Sequence, residues 1–153
     1  MKIKAIITIA LIISAALLAA RMSPGANVEQ FREGKYIHVD IMTIQFKKTD
    51  ATVDIQYHLS PFAQAYIFLF GSKNLEPKIE EIFSEFQEVK ILKLGSSSAS
   101  LQILNISRKS DVYYLHESRN FSVQTDVLTI VYPDGTRRNF EHAKETPPTF
   151  LPV

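Results

Sequence analysis

The sequence predicts an α+β domain: an antiparallel sheet of two or more β-hairpins with an inserted helical hairpin, preceded by an N-terminal transmembrane or signal helix. Three observations predict it. Residues 35–59 alternate apolar and polar with a period of two, residues 61–88 carry cap residues and a helical apolar stripe, and residues 5–20 hold no charge. The chain divides into an N-terminal anchor or signal (1–21), a linker (22–34), the domain (35–142) and an irregular, proline-bearing tail (143–153).

The N-terminal run comes first. Sixteen uncharged residues at about 1.5 Å each cover roughly 24 Å, slightly short of a ~30 Å hydrocarbon core. Ile3 and the stems of Lys4 and Arg21 extend that reach. A positive start and an apolar middle also fit a secretory signal, with small-residue cleavage points after Ala16 or Ala20, although neither has an A-x-A pattern. The run is read as an uncleaved anchor ahead of a cleaved signal. Lys2 and Lys4 before it, against Arg21 after it, keep the N-terminus cytoplasmic and export residues 22–153. The expected location is the cell membrane, single-pass through residues 3–20, with the bulk extracytoplasmic, or secreted if the run is cleaved. Export makes the sequons at Asn105 and Asn120 candidate glycosylation sites; Asn120 has the more loop-like setting and Asn105 lies in an expected strand.

The domain opens with KYIHVDIMTIQFK (35–47) and TVDIQYHL (52–59). A four-residue loop, Lys48-Thr49-Asp50-Ala51, pairs Lys47 with Thr52 and sets Phe46, Ile44 and Met42 opposite Val53, Ile55 and Tyr57. SPFAQAYIFLFG (60–71) then supplies Ser60 as N-cap, Pro61 at the first helical position and Gly71 after the end. A second helix is expected at Pro77–Glu88, burying Ile79, Ile82, Phe83 and Phe86 and leaving its glutamates wet. Residues 89–94 and 99–106 form a second hairpin, with Val127–Tyr132 a central strand, Pro133-Asp134-Gly135 a turn and RRNF a polar edge strand. Val112–Leu115 is a possible short strand.

Composition narrows function more than it specifies it. Hydrophobic content of 46% and charge of 22% fit a globular domain. Seventeen basic against sixteen acidic residues offer no surface for nucleic acid. The absence of cysteine removes disulfides, thiolate metal sites and cysteine nucleophiles. Four histidines (His38, His58, His116, His142) lack ligand spacing, and the expected register puts His58 on the face opposite His38 and Asp40, so all four are read as surface residues. No nucleophile elbow or phosphate loop occurs. No catalytic residue, cofactor or metal site is assigned.

What remains is the dense aromatic helix. Phe62, Tyr66, Phe68 and Phe70 are either core or a contact for membrane or protein partner, because apolar residues surround this helix on every side except Gln64. At LSPFAQAYIFLFGSKNLEPKIEEIF, and again at VLTIVYPDGTRRNF, the chain resembles small uncharacterised membrane-anchored extracytoplasmic proteins of methanogenic archaea. The resemblance spans about residues 36–140. It implies an envelope setting and brings no activity, cofactor or catalytic residue. The expected function is a non-enzymatic membrane-anchored interaction or envelope-assembly module. A small-ligand-binding domain with a pocket under the Phe-rich helix is the alternative, and a hydrolase with a dispersed site a more distant one.

Overall fold

The computed structural model describes residues 36–153. The expected anchor and linker lie outside the described residues. Strands β1 (Ile37–Lys47), β2 (Asp50–Leu59), β3 (Glu88–Leu94), β4 (Ser98–Leu104), β7 (Asn120–Val131) and β8 (Arg137–Glu145) build a six-stranded sheet in the order β3-β4-β2-β1-β7-β8. A second, three-stranded sheet joins β5 (Arg108–Lys109), β6 (Tyr113–His116) and β9 (Thr149–Pro152) in the order β5-β6-β9. Between β2 and β3 run α1 (Pro61–Phe70), a 3₁₀ turn (Ser72–Leu75) and α2 (Glu76–Ile82). The architecture is α+β, mostly sheet.

The large sheet is mixed, not antiparallel, because β7 pairs parallel to β1. The chain reaches β7 only after β5 and β6, and this long excursion lets it enter beside β1 running the same way.

The first hairpin forms, two residues out of the expected register. Lys47 pairs with Asp50, Phe46 with Ala51 and Ile44 with Val53. The connection is only Lys48-Thr49, with Lys48 in the left-handed region at φ 57°. Polar Asp50 read as loop, but its carboxylate accepts the Asn105 N–H at 3.2 Å, which draws it and buried Ala51 into the ladder. A slip of two leaves every side chain of β2, and of β1 from Ile41 onward, on its expected face. Met42, Ile44, Phe46, Val53, Ile55 and Tyr57 are therefore all buried.

A β-bulge then breaks the alternation. Val39 pairs with Tyr57 and Ile41 with Gln56, leaving Asp40 as the extra residue. Beyond it His38 stands directly opposite His58.

The two helices differ. Ser60 Oγ accepts the Ala63 N–H at 3.3 Å, and the Gly71 N–H closes α1 on the Ile67 carbonyl, with Gly71 at φ 86°. α2 ends at Ile82, well before the expected Glu88. Tertiary packing unwinds its last turn. Phe83 and Phe86 turn in against Phe121, at ring separations of 5.8 and 6.0 Å. Glu85 meanwhile accepts both the backbone N–H of Asn120 at 2.7 Å and its side-chain amide at 3.0 Å.

The turn after Val131 and the polar edge strand β8 agree with the sequence, with Gly135 at φ 85°. Residues 149–152, placed in an irregular tail by their prolines, instead form β9 on β6, pairing Tyr114 with Leu151. Both of those side chains are buried and join the same core as α2 and the inner face of the large sheet. His116 is buried too, a correction to its surface assignment. Its Nδ1 lies 3.1 Å from the Ile106 carbonyl, which can only accept, so Nδ1 carries the hydrogen and Nε2 accepts from the Thr146 hydroxyl at 2.7 Å. The opposite face of the large sheet stays wet, with Gln45, Asp54 and Gln56 exposed.

Candidate functional site

Helix α1 sits at the end of the domain where the described chain begins. The Ser60 N–H donates to the Tyr36 carbonyl, and the Tyr36 and Phe62 rings lie 6.2 Å apart. Only Ala63 and Ile67, one turn apart, are buried. Every other apolar side chain is left at least partly outside. Phe68 is 89% exposed, Leu69 71% and Phe70 63%, while Phe62 and Tyr66 are about half exposed. The Tyr66 and Phe70 rings pack on each other at 4.8 Å. The helix has no acid in its first turn and no base in its last, and exposed Lys73 follows in the 3₁₀ turn. All four aromatics named from the sequence thus lie together on one exposed element. Among the described residues no helix is long and apolar enough to cross a membrane.

Beside α1 opens a cavity of about 570 Å³, lined by Tyr57, Leu59, Gln64, Ile67, Phe68 and Ser97 among others. Tyr57 anchors its floor. Its hydroxyl donates to the Gly95 carbonyl at 2.7 Å, and burial pushes its pKa up to about 12.

The sequons take settings opposite to those expected. Asn105 follows β4 as an exposed residue with φ 54°, and Asn120 opens β7 with its side-chain amide bonded to Glu85. β4 stops early because the left-handed Asn105 turns the chain away. The Asn120 amides in turn hold the Glu85 carboxyl below the usual carboxylate range.

One grouping escaped the sequence reading. On the open face of the large sheet, His38 Nε2 lies 2.9 Å from Asp126 Oδ2 and 3.9 Å from Asp40 Oδ1, and His58 Nδ1 lies 2.8 Å from that same Asp40 oxygen. The two imidazole rings are 4.7 Å apart. The expected register put His58 across the sheet from His38 and Asp40; the bulge brings all three to one face. The hydrogen bond from His38 holds Asp126 below the usual carboxylate range, with the charges of His38, His142 and His58 adding to it. Sequence signals for this cluster are weak, because the alternation His38-Val39-Asp40 is visible but the bulge is not.

No family model, no curated protein and no solved structure matches the chain.

Proposed function

We propose that the chain is a membrane-anchored extracytoplasmic interaction module without catalytic activity, and that α1 rests on the lipid surface. One observation carries this reading: Phe68, Leu69 and Phe70 project from a folded domain into solvent. Burying three such side chains in an interface is worth several kcal/mol, at about 1.5–3 kcal/mol each. At ten residues α1 is far too short to span, which suits an element lying in the interface plane. The first described residue, Tyr36, adjoins α1 directly. Exposed Lys73 supplies a cation for anionic headgroups just past the helix. An archaeal envelope setting, implied by the resemblance to methanogen proteins, accords with this reading. Of the two sequons, Asn105 is the better glycan acceptor, being exposed at a turn.

Liposome flotation tests the reading, using residues 27–153 without the apolar run, beside a Phe68→Glu variant. Circular dichroism first establishes that both proteins are folded. The wild-type domain floats with anionic liposomes and the variant stays in solution. A folded domain that ignores liposomes contradicts the reading.

The second reading, a small-ligand domain, draws on the cavity beside α1, whose volume lies in the range of ligand pockets. Phe68 lines it, so an apolar ligand would compete with lipid for the same side chain. A soluble apolar ligand that blocks flotation and binds a Phe68-intact domain in free solution would favour that reading.

A further inference from the structure

We propose that His38, Asp40 and His58 form a binding site for a divalent first-row transition-metal ion of the zinc class, with the Asp126 carboxylate beside it. The site takes no donor from α1, although His58 also lines the cavity beside that helix, and it does not rest on the membrane reading.

Four features of the fold support it. The donor atoms of His38, Asp40 and His58 all lie within 4.8 Å of one another. Donors around a four-coordinate ion at about 2.0–2.2 Å sit roughly 3.3–3.5 Å apart, between the 2.8 and 3.9 Å separations seen here. Small rotations of the rings are enough to admit an ion. The donors also come from two paired strands, so the backbone holding them is rigid before any ion arrives.

The bulge is the third feature. It adds Asp40 between two otherwise regular pairs, and Asp40 is the residue whose single oxygen faces both imidazoles. The fourth is charge. The Asp40 carboxylate, with that of Asp126 beside His38, offsets the charge of a dication, and two imidazole nitrogens with a carboxylate oxygen suit zinc, cobalt or nickel over magnesium or calcium. Because ionised carboxylates only accept, His38 Nε2 and His58 Nδ1 each carry a hydrogen toward an Asp oxygen in the structure described. An ion takes the place of those two hydrogens when each neutral imidazole carries its N–H on the other ring nitrogen instead. All four side chains are roughly 40–64% exposed, so coordination positions remain open to water or to a donor from another molecule.

The test uses the full chain in detergent micelles, stripped with chelator and titrated with Zn²⁺ by calorimetry and with Co²⁺ by visible absorption. One ion per chain is expected, with the intense cobalt bands of low coordination number and no competition from excess Mg²⁺. A His38→Ala/His58→Ala variant loses binding. Asp40→Asn, which keeps the shape and removes the charge, weakens binding at least tenfold, and Asp126→Asn weakens it less. Circular dichroism and the melting temperature of the metal-free variants separate loss of the site from loss of the fold. Absence of stoichiometric binding, or binding retained by the double histidine variant, overturns the proposal. Undiminished binding by folded Asp40→Asn also overturns it, since an exposed histidine pair alone would chelate without the carboxylate.

Discussion

The domain contains two aromatic clusters of similar composition and opposite fate. Phe83, Phe86 and Phe121 meet edge-on and stacked inside the core, the first at 1% exposure. Phe62, Tyr66, Phe68 and Phe70 line a helix that buries only an alanine and an isoleucine. The difference lies in how each element meets the sheet. Residues 79–86 carry apolar side chains at helical spacing with charged residues between them, so only one orientation is wet on one side and dry on the other. α1 has no such preference, since almost any rotation leaves aromatic surface outside. Apolar content alone therefore does not locate a core. The position of the polar residues does.

The comparison breaks most readily at Phe83. Phe83→Ala should lower the unfolding free energy by about 3–5 kcal/mol, read from urea denaturation, because it empties a packed site. Matching sensitivity at Phe68 would erase the distinction between the clusters.

His116 sharpens the buried side of the contrast through pH. Burial lowers its pKa in the folded state, so between pH values near the ordinary ~6.5 and the lower folded value the unfolded chain binds more protons. Its contribution is fully present above about pH 6.5 and is lost as pH falls through the folded value. The melting temperature should fall on acidification in that window, and His116→Gln should flatten the slope. A slope unchanged by that substitution would assign the acid sensitivity elsewhere.

Tyr57→Phe should cost about 1 kcal/mol, since it removes one hydrogen bond to the Gly95 carbonyl while keeping the ring. Phe68→Ser should change stability least, within about 0.5 kcal/mol, as a solvent-facing substitution.

Legibility in the sequence followed the same logic. Period-two alternation showed which side chains of β2, and of β1 from Ile41 onward, face inward, and an even-numbered slip left that intact. The register itself was hidden because Asp50 looks like loop until its bond to the residue after β4 is known. β9 was hidden by its prolines, which an edge strand paired on one side tolerates. The His38, Asp40 and His58 cluster was misplaced for a sharper reason: a bulge is one residue of irregularity, and it decides which groups become neighbours. The aromatic residues of α1 could be named from the sequence. Their exposure could not, because a uniformly apolar helix carries no stripe to orient it.

The most direct measurement uses the absence of cysteine in the chain. Single Phe68→Cys and Asp54→Cys variants of the folded domain take a nitroxide label, the second on the wet face of the sheet. Collision with a water-soluble relaxation agent is then read with and without anionic liposomes. The account predicts that liposomes shield the label at position 68 and leave the label at position 54 as accessible as before. Equal accessibility of both labels in the presence of liposomes would contradict it.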